Sequence, residues 1–374
     1  VTDKGSGYSY VDSGPIILPM EEGSILRKNY ILTYLIALIG GLCFAFLALP
    51  LPWILGPVTL LILYKIKGDH QTQSSLLLRD LAFWLLGIQI GLTFQPDTWT
   101  NIGPYLLPYA LFSFAIIATS LLFAFVLSKR SAMETKTTLI GSVPGGLSAM
   151  IAVSESLQGN TVLVTIFHTI RLVSVLFIIP FAATHWLYMD EPAAAAVETH
   201  VEPSGYWTLL IYFLSLTAGY VVKKRIPASL IIIPMLLIGA CQTAGIALYP
   251  LPSVLFIGAQ LMIGVHLGHK IVLKDVIRAG RFCGYFFALA LLLISLSFLL
   301  GFLLSEWTEM GLTTAILSLA PGGLIEMALT AQDAGANPAI VSSLQTIRLL
   351  IIVLVMPFLL EWFFNKPKRM NIKN

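Results

Sequence analysis

"SVPGGLSAM" at Ser142–Met150 and "LAPGGLIEM" at Leu319–Met327 place the same Pro-Gly-Gly triplet inside two segments that are otherwise apolar enough to be buried. Proline has no amide donor and glycine has little helix preference, so each triplet breaks a helix. In hydrocarbon a broken backbone is tolerated only where protein or a water-filled cavity satisfies its polar groups. The helix that restarts after each break carries free amides and a positive dipole end into that setting, a cradle for an anion or another substrate. The alternative is a tight turn that lets two helices pack closely, a common use of glycine in membrane helices.

Composition decides what surrounds the triplets. Of 374 residues 57% are hydrophobic and 11% charged, with a mean hydropathy of +0.86. A soluble domain carries roughly 25% charged residues, so a chain this poor in charge cannot build a water-facing surface. It reads as a polytopic membrane protein. Apolar stretches near or above the roughly 17–25 residues that cross a bilayer run approximately over 30–49, 50–66, 76–94, 105–127, 137–157, 161–187, 207–222, 228–248, 251–267, 282–304, 312–331 and 339–364. No soluble domain interrupts them, and the first nineteen residues do not read as a secretory signal. Cys43, Cys241 and Cys283 are scattered without paired spacing, which argues against a disulfide framework or a zinc site.

Sliding the chain against itself by 177 positions superposes "PGGL" at 144–147 on 321–324, "TIRL" at 169–172 on 346–349 and "PF" at 180–181 on 357–358. Pro50 meets Pro227, Pro57 meets Pro234, Gly87 meets Gly264, Gly91 meets Gly268 and Asn160 meets Asn337. The chain is internally duplicated. Basic residues decide the relative orientation of the halves. In the first half they lie at Arg27, Lys28, Lys65, Lys67, Arg79, Lys129, Arg130 and Lys136; in the second they lie at 223–225, Lys270, Lys274, Arg278 and Arg281, in loops whose first-half counterparts carry none. Charge has changed sides, which predicts inverted repeats. Each half then needs an odd number of crossings, and leaving out its Pro-Gly-Gly stretch puts every basic loop on one side.

The expectation is an all-α polytopic membrane protein of two inverted repeats, with about ten full crossings plus two broken or re-entrant Pro-Gly-Gly segments. Its parts are a polar N-terminal extension (1–29), repeat 1 (30–188), an external acidic linker (189–206), repeat 2 (207–364) and a basic cytoplasmic tail (365–374). A bacterial cytoplasmic (inner) membrane is the expected location.

The polar residues near the breaks are the candidate site. They are Pro144, Gly145, Gly146, Ser148 and Arg171 in the first half, and Pro321, Gly322, Gly323, Glu326 and Arg348 in the second. Glu326, Thr330 and Asp333 share a helical face, as do Ser148 and Glu155; His168 with Arg171, and Gln345 with Arg348, stand three apart and also share a face. Thr169 and Thr346 accompany them. A charge at such depth costs roughly 2.5–3.5 kcal/mol on insertion scales, so each arginine needs an interior partner. Either the arginines cap backbone carbonyls of the broken segments or pair with Glu155, Glu326 or Asp333, or they hold an anionic substrate. Glu326 is a candidate carrier of a coupling proton, because apolar surroundings favour the neutral carboxyl. Gln89 and His266, related by the repeat, line a path or bridge helices. Six dispersed histidines offer no metal site, and no nucleotide loop, nucleophile elbow or nucleic-acid-binding pattern is present.

These motifs, with "LPLPWILGPVTL" at 49–60, resemble the AbrB-type membrane protein family over about residues 30–364, and the duplicated plan is also similar to the broad cation/proton antiporter and anion transporter superfamily. At "IPASLIIIP" (226–234) the second half departs from the "WILGP" pattern of the first. Three readings follow, the first from the inverted repeats, broken helices and intramembrane charge and the other two from labels that members of the family carry. The first is a secondary transporter of a small, anionic solute bound at the repeat interface, without enzyme activity or cofactor. Its partners are the bilayer, the solute and a coupling ion, proton or sodium; no nucleic acid is expected, and homo-oligomerisation is left open. The second is a membrane protein involved in regulation of gene expression, a family label that would favour an output domain. The third is an ammonia monooxygenase, another family label, which would need clustered metal ligands. They rank in that order.

Overall fold

The computed structural model describes residues 20–67, 72–96, 98–131, 133–187, 205, 208–223, 225–226, 228–246, 248–271 and 280–364. The expectations for the first nineteen residues, most of the acidic linker and the basic tail lie outside these residues. Among the described residues the chain is all-helical. The first half contains α1 (Met20–Phe46), α2 (Pro52–Lys67), α3 (Leu76–Gly91), α4 (Thr98–Arg130), α5 (Thr135–Ser142), α6 (Leu147–Ser156) and α7 (Thr161–His185). The second contains α8 (Thr208–Val221), α9 (Ser229–Thr243), α10 (Ser253–Lys270), α11 (Arg281–Thr308), α12 (Leu312–Leu319), α13 (Leu324–Asp333) and α14 (Pro338–Phe364).

Five helices are long and apolar enough to cross a membrane, over Asn29–Phe46, Ile102–Arg130, Thr161–His185, Arg281–Thr308 and Pro338–Phe364. Helices α2, α8 and α9 are apolar but shorter. Large apolar side chains stand outward on many of them: Leu77, Leu107, Phe114, Leu122, Leu210 and Phe358 are all exposed. In water so much exposed apolar surface marks an interaction or aggregation face; against lipid it is the natural exterior.

The duplication reappears in three dimensions. Helices α5 and α12, and α6 and α13, start and stop at the 177-residue offset. So do two bends with positive φ, Leu51 (47°) with Ala228 (53°) and Gln158 (57°) with Gly335 (72°). The contacts between halves are reciprocal. A Cβ on Gly87 would stand 2.6 Å from the Ile231 carbonyl oxygen, and one on the equivalent Gly264 would stand 2.9 Å from that of Ile54, the equivalent of Ile231. Lys65, at the C-terminal end of α2, donates to the carbonyls of Gly268, His269 and Ile271 at 2.7–2.8 Å, while Gln242, its equivalent on α9, reaches the Leu92 carbonyl at 3.4 Å. Reciprocal contacts of this kind are what a two-fold relation between two copies produces.

Two bundles result, each built from both halves. Helices α1–α3 and α8–α10 pack on one another around Ile54, Val58, Leu86, Ile231, Met235 and Ile263. Helices α4–α7 pack with α11–α14 through layers that include Tyr109, Phe167, Phe286 and Leu344. Glycine is what lets α3 approach α9, and α10 approach α2, to backbone contact. Gly87→Val and Gly264→Val should therefore each destabilise the protein by about 1–3 kcal/mol, the usual range for an overpacked interior, read as a lowered melting temperature in detergent. An unchanged melting temperature for both would contradict this packing.

Candidate functional site

Each Pro-Gly-Gly segment forms the tip of a helical hairpin. Helix α5 has eight residues and α6 has ten, so at 1.5 Å per residue the arms are about 12 and 15 Å long, half of a bilayer core. The hairpin is tied at its open end, where the Asn160 amide donates to Thr137 Oγ1 at 2.9 Å and Lys136 Nζ donates to the Leu157 carbonyl at 3.1 Å. In the second hairpin, α12–α13, the Asn337 amide donates to Thr314 Oγ1 at 3.1 Å. Both chains enter and leave at the same end, with helical hydrogen bonding interrupted at the tip.

The two tips differ in chemistry. In the first, Gly145 and Gly146 have φ of 143° and 62°, conformations that L side chains rarely adopt. No side chain caps the start of α6. In the second, neither glycine has positive φ; here glycine makes room. A Cβ on Gly323 would meet Glu326 Oε2 at 2.0 Å, because the Glu326 carboxyl group folds back over the first turn of its own helix. A carboxyl group set there occupies the space over the helix amino end and is favourably placed toward its dipole. The second cradle is thus filled from within, and the position equivalent to Glu326 in the first hairpin is Ala149.

The arginines follow the same asymmetry. Arg348, on α14, is buried, and both terminal nitrogens are engaged: Nη1 reaches the carbonyls of Leu319 (3.2 Å) and Ala320 (2.7 Å), while Nη2 reaches the Gly322 carbonyl (3.0 Å) and Gln345 Oε1. Arg171, on α7, donates from Nη1 to the Val143 carbonyl at 2.5 Å, the contact equivalent to Arg348 with Ala320. Its Nε is buried without a partner. Among the described residues neither guanidinium pairs with a carboxylate.

Both tips and both arginines open onto one cavity of about 220 Å³. Its wall includes Pro144, Gly145, Gly146, His168, Thr169, Arg171, Pro321, Gly322, Gly323, Gln345 and Arg348, eleven of the residues singled out in the sequence. Leu267, Lys270 and Ile271 at the end of α10 also line it, so the cavity lies where the two bundles meet. Lys270 is exposed and marks the mouth. The lining holds three cationic side chains and no carboxylate.

Other sequence candidates lie elsewhere. Glu326 is buried on α13 outside the lining, and Thr330 donates to the Glu326 carbonyl at 2.6 Å. Asp333 accepts the Leu51 amide at 3.1 Å, capping the approach to α2. Glu155 is exposed. Thr346 donates to Ser342 at 2.7 Å, and His266 faces Ser74 at 3.5 Å. Gln89 is half-buried on α3, away from the cavity, and the Ser148 side chain lies outside the described residues. Lys270 was missed by sequence reasoning. It ends "GVHLGHK" beside a basic loop and reads there as part of the rim that sets topology.

The family model described as "Transition state regulatory protein AbrB" matches residues 8–95 and 53–364. The chain belongs to the AbrB family. Among curated relatives it is similar to the protein named "Putative regulator AbrB" of Escherichia coli (strain K12), 27% identical over 339 residues, covering 88% of this chain and 95% of the relative. It is also similar to the "Uncharacterized protein YhjN" of Bacillus subtilis (strain 168), 26% identical over 300 residues, covering 74% of this chain and 76% of the relative. The AbrB match spans both Pro-Gly-Gly hairpins and both arginines.

Proposed function

We propose that this AbrB-family protein is a secondary transporter of a small anion, which binds between the two Pro-Gly-Gly tips. The observation that carries the reading is the cavity wall: Arg171, Arg348 and Lys270 converge on it, and no carboxylate lines it. A volume of about 220 Å³ is below the roughly 300–1,000 Å³ of pockets for drug-sized ligands. A compact inorganic or organic anion is the fitting substrate.

The transporter plan rests on inverted repeats, and the helix contacts support inversion. Helices α3 and α10 occupy equivalent places in the two halves. Thr72 and Ser74, just before α3, lie beside His269 (3.1 Å) and His266 (3.5 Å) at the far end of α10. Equivalent helices that meet head to tail run in opposite directions, as inversion requires. Counting α1–α4, α7–α11 and α14 as crossings gives ten, and leaves the two hairpins re-entering from opposite faces of a bacterial inner membrane. A site between re-entrant tips at the junction of two bundles can be exposed to one side and then the other as the bundles move. With the basic loops cytoplasmic, the mouth at Lys270 faces the cytoplasm.

The orientation is open to direct measurement. In a background with Cys43, Cys241 and Cys283 replaced by serine, Ala194→Cys should react with an impermeant maleimide added to intact cells, and Ser131→Cys should react only after permeabilisation. The reverse pattern contradicts the proposed topology.

A further inference from the structure

The repeat pairs His168 with Gln345, and both side chains face one equivalent carbonyl, that of Val143 in the first repeat and that of Ala320 in the second. Gln345 Nε2 donates to Leu317 (2.8 Å), Ser318 (3.1 Å) and Ala320 (3.2 Å), closing the end of α12. His168 lies before Val143 and Gly145 in the tip that follows α5, where Val143 is the equivalent of Ala320. Its Nδ1 lies 3.0 Å from the Val164 carbonyl, one turn back on α7. A carbonyl only accepts, so Nδ1 carries a hydrogen. In a neutral imidazole Nε2 is then a bare lone pair. Nε2 is buried with no hydrogen-bond partner, in a side chain that is 3% exposed and lines the cavity.

We propose that His168 is the proton site of this cavity, taking up a proton on Nε2 when an anion enters, so that anion and proton bind together. The inference rests on the anion reading above and names its coupling ion. A proton on Nε2 gives the Val143 carbonyl the donor that Gln345 supplies permanently to Ala320 in the other repeat. In the anion-free cavity this protonation is opposed by Arg171 on the same helix, and the wall adds Arg348 on α14 and Lys270 on α10 with no lining carboxylate to offset them. An entering anion reverses the balance. By linkage the proton strengthens anion binding by the same factor as the anion strengthens proton binding. Histidine is the side chain whose unperturbed titration lies nearest physiological pH, and an anion beside the ring favours its charged form. The proton comes from solvent and returns to it when the anion leaves.

The test is calorimetric titration of the purified full-length protein with sulfate, nitrate, acetate, lactate and benzenesulfonate. Each titration is repeated in two buffers of different ionisation enthalpy at about pH 6 and pH 8, around the range in which histidine titrates. For the anion that binds, the wild type should take up close to one proton per anion at the upper pH, with affinity falling up to about tenfold per pH unit above the histidine's titration range. His168→Gln, which copies residue 345, should bind with an affinity that no longer changes with pH and without proton uptake; His168→Asn serves the same purpose if the glutamine variant does not fold. An anion bound by the wild type without proton uptake, or proton uptake that persists in the variant, overturns the assignment to His168 alone. A wild type that binds none of these anions overturns the anion reading and this inference with it.

Discussion

Arg348→Ala should remove the protein from the membrane fraction before any question of activity arises. The guanidinium is a structural donor to backbone that the break at Pro321 has left open. It holds the carbonyls of Leu319, Ala320 and Gly322, and it orients the Gln345 amide that closes the end of α12. Each buried carbonyl deprived of its donor costs about 1–3 kcal/mol. Ala320 keeps a bond from Gln345, so Leu319 and Gly322 carry the loss, roughly 2–6 kcal/mol for two such carbonyls. That is a large part of the 5–15 kcal/mol typical of a whole domain. Arg348→Lys keeps the charge and loses the planar fork, so it should recover part of the abundance. Membrane abundance and detergent melting temperature check both variants, and a stable, fully abundant Arg348→Ala protein contradicts the structural role.

Arg171→Lys should behave in the opposite way, with folded protein retained and anion affinity lost. Arg171 makes one backbone bond, to Val143, which a lysine can reproduce. Its remaining guanidinium surface faces the cavity beside an uncapped helix start. Losing one hydrogen bond to a charged group costs about 1.5–3 kcal/mol, roughly a 10- to 150-fold rise in Kd. Calorimetric titration of wild type and variant with the same anion gives the comparison. Equal affinities, or a variant as unstable as Arg348→Ala, would place Arg171 among the purely structural groups.

The contrast between these arginines was not legible in the sequence, where the two "TIRL" segments are identical. What separates the arginines is Gln345, whose Oε1 accepts from Arg348, against His168 at the equivalent place; what separates the cradles is Glu326 against Ala149. In the fold Glu326 closes the second cradle, and the first stays open. The duplication itself was fully legible, because prolines, glycines and the arginines recur at one offset and each fixes a bend, a close approach or a buried charge. The hairpins were half-legible. Pro-Gly-Gly marks the break, but the return of α6 to the start of α5 depends on Thr137 and Asn160, a tertiary pairing that periodicity does not encode. Lys270 escaped for a similar reason: its part in the cavity comes from the packing of α10 between the two bundles.

The central claim is that an anion occupies the space between the two tips. Crystals of the full-length protein soaked in bromide, measured at the bromine absorption edge, test it directly. An anomalous peak is expected bounded by Gly145–Gly146 and Gly322–Gly323, within hydrogen-bonding distance of Arg171. No peak in that space, with rubidium ions occupying it in a parallel crystal, would contradict the claim.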